Sequence, residues 1–577
     1  MNDERAARWL SRDPDPTTRS ELSALIEAGD EAEISRRFAG RLAFGTAGLR
    51  GVVGAGPSRM NRLVIRETSA GLADYLIATI PDAAARGVVV GYDGRIDSKV
   101  FAEDTAGVLA AKGLRVYLSD QEVPTPVCAF ALKDREACAA VVVTASHNPP
   151  EYNGYKVYWK NGAQIIPPHD AGIAQAIDQA AAADEVPWID LDEALAAERV
   201  SYFGDALIGR YLDRVAALSV YTDRGNRASL AIAYTPLHGV GAKAAEAILR
   251  RVGFLAVSTV SSQREPDGHF PTVRFPNPEE PGAMDAVLAL AKEHVAPLVL
   301  ANDPDADRLA VAVRKADGDY RQLTGDQVGI LLGLDRVEAL GGEGSCVAMT
   351  VVSSQLLGVA AKARGASAEE TLTGFKWIMN AGLARQAEGT RCLFGYEEAL
   401  GYCVGDVVHD KDGISAAMCF AELAAELAAQ GETVLSRLEA IYREFGLYVT
   451  GQRSLALDPS RDVAEPTIGD KLRARRPDEV AGRQVEAWVD LSVGKRYGDR
   501  GVETPVSLPP SDVLIYHLAD GARIVVRPSG TEPKIKCYYE LRVVMADDEA
   551  FAAAEARAAM LLTSLIATHQ EELADLG

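Results

Sequence analysis

The sequence predicts an α/β protein with mostly parallel sheets and helices on both faces. Three observations predict it: short β-rich apolar runs recur along the chain, helical patterns separate them, and polar motifs begin where three of the runs end. The runs include RGVVVGYD (86–93), GLRVYLSD (113–120), AAVVVTAS (139–146), SLAIAYTP (229–236) and APLVLAND (296–303). FAEDTAGVLAAKG (101–113) and GAKAAEAILRRVG (241–253) read as connecting helices, and AQAIDQAAAAD (174–184) as a surface helix. In such sheets the loops beyond the carboxyl ends of the strands carry function. The C-terminal part differs. VLIYHLADGARIVVRPSG (513–530) sets Asp520-Gly521 between two alternating runs, the mark of an antiparallel hairpin, and Ala- and Glu-rich helices follow a further strand at IKCYYELRV. It reads as a separate α+β domain.

At roughly 150 residues per domain, 577 residues suggest about four domains. Loop-like composition places the boundaries at 1–203, 204–318, 319–449 and 450–577. A composition of 48% hydrophobic, 25% charged and 6% aromatic residues excludes collagen-like, disordered and coiled-coil classes. The net charge of −22, from 60 Lys and Arg against 82 Asp and Glu, has the wrong sign for a general nucleic-acid surface. An anionic substrate can still be held by a few local cations. No uncharged apolar run reaches 18 residues, so no membrane partner is expected. The N-terminal MNDERAARWLSRDPDP carries charges where a signal peptide needs its apolar segment, which points to the cytoplasm. The seven cysteines are odd in number and lack CxxC spacing, against a disulfide framework or zinc ribbon.

Four clusters carry chemistry. Thr144-Ala145-Ser146-His147-Asn148-Pro149-Pro150 follows Val141-Val142-Val143, so a β-branched run delivers a serine to a loop that two prolines keep from becoming helix. That suits a nucleophile or phosphate carrier, and the GxSxG elbow of serine hydrolases is absent. Asp303-Pro304-Asp305-Ala306-Asp307-Arg308 brings three carboxylates at alternate positions, suited to one hard cation, Mg²⁺ or Ca²⁺. An EF-hand starting at Asp303 fails, because Arg308 and Arg314 stand where Gly and Glu are required.

Gly395-Tyr396-Glu397-Glu398-Ala399-Leu400-Gly401 offers carboxylates between glycines for vicinal sugar hydroxyls, or else a helix N-terminus with first-turn glutamates. Thr373-Gly374-Phe375-Lys376 lies upstream of it and His409-Asp410-Lys411 downstream. Arg527-Pro528-Ser529-Gly530-Thr531-Glu532-Pro533-Lys534 combines an Arg fork, two hydroxyls and backbone N–H groups for a phosphate monoester. Gly239-Val240-Gly241 only approximates a dinucleotide fingerprint and fits a packed helix start better, and no P-loop occurs.

Together with Gly45-Thr46-Ala47-Gly48-Leu49-Arg50, these motifs resemble, in order, the α-D-phosphohexomutase superfamily of phosphoglucomutases and phosphomannomutases. NGYKVYWKNGAQI (153–165), FPTVRFPNPEEPG (270–282) and TLTGFKWI (371–378) are similar to its phosphoglucomutase-2-like phosphopentomutase branch. The resemblance implies four domains around a central cleft, three alike and a smaller last one, carrying in turn a phosphoserine, a metal-binding, a sugar-binding and a phosphate-binding loop. It implies that Ser146 is the phosphoserine, and that Asp303, Asp305 and Asp307 hold Mg²⁺ with the Ser146 phosphate. Arg50, His147, Lys156 and Arg308 would line the reaction centre. Thr373, Gly374, Glu397 and Lys411 would meet the sugar, and Arg527, Ser529, Gly530, Thr531 and Lys534 the non-reacting phosphate.

The expected activity is a phosphosugar mutase working through a sugar bisphosphate that also serves as a possible activator. Glucose 1- and 6-phosphates are the first expectation, with mannose or pentose phosphates as alternatives. Ala399, where many glucose and mannose mutases of the family carry Ser, removes a hydroxyl and keeps a pentose open. The general base is His147, with an ordinary pKa of about 6.5, or Lys156, at about 10.4. A metal-dependent phosphatase and a silent sugar-phosphate sensor are the competing classes. The chain is expected to act as a monomer or homodimer.

Overall fold

Apolar runs without a polar face must be buried on both sides. Val88–Tyr92 and Ala139–Val143 accordingly form strands in which every residue is buried, lying parallel with Val88 opposite Ala139 and Tyr92 opposite Val143. The computed structural model describes residues 2–576 apart from 47, 184, 223–224, 457–466, 476, 499–501 and 529–533. The chain divides into two units, residues 1–324 with 400–430, and residues 325–399 with 431–577.

The first unit holds two sheets. One runs in the order Leu49–Val52, Tyr152–Trp159, Ala139–Val143, Val88–Tyr92, Val116–Ser119 and Val200–Phe203. The other runs Tyr320–Gln322, Ala310–Arg314, Leu298–Ala301, Ile232–Thr235 and Val257–Thr259. Helices Ser98–Ala111 and Ala242–Arg251 form where the sequence placed them. Helix Gly413–Ala429, buried over most of its length, also belongs to this unit.

Both sheets are mixed and not purely parallel, and the exceptions matter. Ala139–Val143 pairs antiparallel with Tyr152–Trp159, and Leu298–Ala301 antiparallel with Ala310–Arg314. A parallel return needs a crossover of a dozen or more residues, and the connections 144–151 and 302–309 are too short for one. The two motif loops are therefore tight hairpin connections, held at both ends by sheet.

In the second unit, Ser345–Thr350 lies parallel between Ser367–Thr371 and Arg391–Glu397. Next in the chain comes an antiparallel sheet containing Leu447–Ala456, Lys534–Val543, Arg523–Pro528, Leu514–Leu518 and Arg483–Asp490. The Asp520-Gly521 hairpin forms as its sequence dictates, Gly521 taking φ 81° between the paired strands Leu514–Leu518 and Arg523–Pro528. Helix Phe551–Ala574 is long and apolar enough by composition to cross a membrane. It packs on Leu447–Ala456 and Lys534–Val543, and its buried residues include Ala554, Ala558, Leu565 and Leu573.

Candidate active site

In the first unit the two hairpin loops meet. Ser146, buried and in the left-handed region at φ 50°, donates its Oγ–H to Asp303 Oδ2 at 2.7 Å and lies 3.2 Å from His147 Nδ1. A non-glycine residue at positive φ costs energy that its surroundings must offset. The offset comes from Thr144, whose Oγ1 accepts from Ser146 N at 2.8 Å, and above all from Arg95. One Arg95 guanidinium donates to four carbonyls, three in the serine loop and one opening the return strand: Ser146 O at 2.6 Å, Asn148 O at 2.5 Å, Pro149 O at 2.9 Å and Tyr152 O at 3.0 Å. Arg95 was not singled out by sequence. The visible signal was Asp93-Gly94-Arg95 directly after a buried strand, with Asp93 Oδ1 accepting from Arg95 N and Ser98 Oγ.

The aspartate loop turns on Ala306, at φ 57°, whose N–H donates to Asp303 O at 2.9 Å. Beneath it lies the glycine pair that imitated a dinucleotide fingerprint. A Cβ on Gly239 would stand 2.3 Å from Pro304 Cα, and Val240 N donates to Pro304 O at 2.8 Å. Glycine is needed there because the aspartate loop's own backbone passes against it.

Carboxylate oxygens of Asp303, Asp305 and Asp307 lie within 4.8 Å of one another, all buried. Lys156 Nζ donates to Asp305 Oδ2 at 2.6 Å and to Asp307 Oδ2 at 2.8 Å, and Thr125 Oγ1 donates to Asp305 Oδ2 at 2.7 Å. Arg308 Nε is 3.9 Å from both Asp303 Oδ2 and Asp307 Oδ1, while its N–H donates to Asp303 Oδ1 at 3.0 Å. Lys411, grouped with the sugar contacts by resemblance, belongs to this cluster, its Nζ 3.4 Å from Asp307 Oδ2. Arg50 donates to Asn148 Oδ1 at 3.0 Å.

Burial, with the charges of Asp305 and Asp307, pushes the Asp303 carboxyl well up. Burial would raise the other two as well, but Lys156 outweighs it at Asp305, and Lys156, Lys411 and Arg308 together outweigh it at Asp307, so both are held below the usual carboxylate range. At Lys156 burial favours the neutral amine, yet Asp305 and Asp307 reverse this and keep the ammonium charged. At His147 burial and the neighbouring Arg308 and Arg50 act together and push the imidazole well down, so it is neutral near pH 7. A trio of oxygen ligands fits a hard divalent cation. Asp305 Oδ1 and Asp307 Oδ1, both buried, have no hydrogen-bond partner among the described residues, which leaves acceptor capacity for such an ion.

The second unit carries the remaining candidates. Arg391–Glu397 ends at Glu397 and continues as a turn, not as the helix N-terminus that the sequence also allowed. Gly374, at φ 109°, precedes helix Phe375–Ala387, and Arg527 Nη1 donates to Thr373 Oγ1 at 2.5 Å. Arg527 pairs in register with Lys536, and Lys534 opens the same strand. Ser529, Gly530 and Thr531 lie outside the described residues.

A strand-end serine set against buried carboxylates, on repeated α/β domains, is the equipment of a phosphoryl-transfer enzyme. Comparison with known families agrees: residues 41–184, 209–318 and 324–445 match phosphoglucomutase/phosphomannomutase alpha/beta/alpha domains I, II and III, and residues 470–558 match the family's C-terminal domain. The chain belongs to the phosphoglucomutase/phosphomannomutase family, the α-D-phosphohexomutases, and is an enzyme that transfers phosphate within a sugar.

The Saccharomyces cerevisiae phosphoribomutase is 37% identical over 576 residues, covering 92% of this chain and 91% of the yeast protein. The human phosphopentomutase is 36% identical over 568 residues, covering 93% and 91%. The crystal structure of a phosphoglucomutase/phosphomannomutase family protein from Burkholderia thailandensis shares the fold with a TM-score of 0.65 at 22% identity, covering 91% and 97% of the two chains.

Proposed function

We propose that this enzyme carries a phosphoryl group on Ser146 and interconverts sugar 1-phosphates with terminal phosphates, preferring pentoses. The observation that carries the proposal is the placement of Ser146 Oγ 2.7 Å from Asp303 in the aspartate trio. Asp303, Asp305, Asp307 and the Ser146 phosphate are the ligands for Mg²⁺, which supplies charge neutralisation to the transferring group.

In the first half-reaction the bond from phosphorus to Ser146 Oγ breaks and one to the free sugar hydroxyl forms. The hydroxyl proton passes to His147, the neutral imidazole of the site, and the departing Ser146 Oγ, 3.2 Å from His147 Nδ1, takes a proton back from it to become the hydroxyl. Lys156, held charged between Asp305 and Asp307, acts as a fixed cation and not as the base. The resulting sugar bisphosphate presents its other phosphate to the Ser146 hydroxyl, and the second transfer restores the phosphoenzyme. Arg308 and Arg50 balance charge on the moving group, and Lys411 adds a cation beside Asp307. Thr373, Gly374 and Glu397 contact the sugar. Arg527, Ser529, Gly530, Thr531 and Lys534 grip the phosphate that is not reacting.

Two facts favour a pentose. The relatives named phosphoribomutase and phosphopentomutase align over more than nine-tenths of both chains. The sugar loop also carries Ala399 and so lacks a side-chain hydroxyl there. Glucose 1- and 6-phosphates are the second reading, favoured by the family descriptions that the four domains match.

The test compares kcat/KM for ribose, deoxyribose, glucose and mannose 1-phosphates under one set of conditions. A lead of at least about tenfold for a pentose, some 1.4 kcal/mol of transition-state discrimination, supports the proposal. A hexose in front overturns the sugar preference and leaves the mutase. Release of free phosphate without isomerisation overturns the mutase itself.

A further inference from the structure

In the second unit, three oxygens form a triangle. Thr350 Oγ1 lies 2.8 Å from Ser353 Oγ, and each of these hydroxyls lies 3.2 Å from Glu398 Oε2. Three oxygen–oxygen contacts need three hydrogens. Threonine and serine bring one each, and an ionised carboxylate brings none. With Glu398 ionised, one edge of the triangle sets two acceptors against each other. With a proton on Oε2, all three edges are hydrogen bonds.

We propose that Glu398 works as a protonated acid near neutral pH, donating into the Thr350–Ser353 triangle, and is a positioning residue for the sugar loop. The proposal rests on the mutase reading for its functional consequence, though not for the protonation itself.

The surroundings favour the neutral acid. Burial, then the charges of Glu397 on the same loop and Asp326 on helix Gly325–Leu340, push the Glu398 carboxyl up to about 7. Other titratable groups face the same region. Glu540 and Tyr538 come from strand Lys534–Val543 and Tyr396 from the strand that ends in the loop, and burial raises all three. The cations are Arg523 and Arg527 of strand Arg523–Pro528. Arg523 is engaged elsewhere, its Nη2 donating to Ser353 O at 2.5 Å and lying 3.4 Å from Glu540 Oε1. Arg527 is bonded to Thr373.

Ser353 is what makes the proton matter. Its hydroxyl holds Glu398, while its carbonyl holds Arg523, which opens the strand that delivers Arg527. The same turn is fixed by Ser354 N donating to Asp326 Oδ1 at 2.7 Å and by Gln355 N donating to Glu540 Oε2 at 2.9 Å. Asp326, Glu540 and Glu398 reach the turn from a helix, a strand and the sugar loop, and Glu398 is the member on the sugar loop. Losing its proton removes one hydrogen bond and adds a negative charge beside Glu397 and Asp326, whose own carboxyl burial also pushes up. The loop bearing Glu397 is then released.

The experiment compares wild type with Glu398→Gln, whose amide can donate at the same position without titrating, and with Ser353→Ala, which breaks the triangle while leaving the carboxyl. KM for the preferred sugar 1-phosphate is measured from pH 6 to 8.5. About 1.5 pH units above a pKa of about 7, some 3% of the carboxyl stays protonated. We expect wild-type KM to rise about tenfold more than that of Glu398→Gln, with kcat changing much less, and Ser353→Ala to show a raised KM already at pH 6. Parallel KM profiles for wild type and Glu398→Gln overturn the proposal.

Thermal unfolding over the same pH range, without substrate, gives a readout independent of turnover. A carboxyl whose folded pKa is raised stabilises fully below its ordinary pKa and loses that contribution as pH rises through about 7. Wild type should therefore lose stability relative to Glu398→Gln between pH 5 and 8, and a pH-independent difference overturns the protonation. If no sugar phosphate turns over, the mutase reading fails while the unfolding comparison still decides the protonation.

Discussion

Substituting the aspartates by asparagine one at a time separates the metal site from the stability of the fold. Asp305 accepts from Lys156 Nζ at 2.6 Å and Thr125 Oγ1 at 2.7 Å with no exposed surface. Breaking a buried ion pair from one side costs about 3–5 kcal/mol. Lys156 keeps Asp307 at 2.8 Å, so Asp305→Asn should cost about 3 kcal/mol, the lower end of that range. Asp303 is different. Its carboxyl is pushed up by burial and by its two neighbours, which favours the neutral form without metal, and an amide can keep the bond from Arg308 N at its oxygen while its nitrogen donates to Ser146 Oγ, reversing that bond. Asp303→Asn should therefore stay within about 1 kcal/mol of wild type in chelator. Denaturant unfolding in EDTA measures both costs, and repeating it in Mg²⁺ measures the site. At 100 times its dissociation constant, Mg²⁺ should add about 2.7 kcal/mol to wild type and nothing to either variant. Equal destabilisation of the two variants in EDTA, or a retained Mg²⁺ effect in Asp303→Asn, would refute the reasoning.

Because Asp303 must lose its proton to become a ligand, Mg²⁺ binding should release protons and weaken as pH falls; calorimetric titration in buffers of different ionisation enthalpy counts them, and zero release contradicts the assignment. Ser146→Ala should abolish mutase turnover, and intact-mass measurement of wild type should show a fraction heavier by about 80 Da, one phosphate, that the variant lacks. Gly325→Ala would set a Cβ 1.8 Å from Glu398 O, so the sugar loop must move; KM should rise at least about tenfold while the activity of the Ser146 site, read as phosphoenzyme formation, persists. An unchanged KM would show that the loop's position does not govern sugar binding.

Much of this was legible in the sequence because each signal was local. The buried runs Val88–Val90 and Val141–Val143 admit few structures other than interior strands, and the Asp520-Gly521 turn fixes its own hairpin. The aspartates at 303, 305 and 307 converge because alternate positions on a short turn have little freedom to diverge. What escaped was long-range partnership. Arg95 lies 51 residues from Ser146 and Thr125 lies 180 from Asp305, and neither spacing carries a periodic signal. Lys411 was recognised by its motif but lies beside Asp307, because helix Gly413–Ala429 returns to the first unit after the chain has already entered the second.

The mixed sheets explain why a strained serine is affordable here. In a purely parallel sheet, the loop after Ala139–Val143 would lead into a helix and be held at one end only. As a hairpin it is held by pairing on both sides, Val142 opposite Lys156 and Ala139 opposite Trp159. The same return strand that closes the hairpin carries Lys156, so the register that fixes Ser146 also fixes the cation set against Asp305 and Asp307. The aspartate loop repeats the device, since Ala301 opposite Ala310 closes it at its neck. Two short hairpins facing each other hold Ser146 and the three aspartates in register without any one side chain being rigid, and Arg95, bonded to four carbonyls along the serine hairpin, stiffens it further.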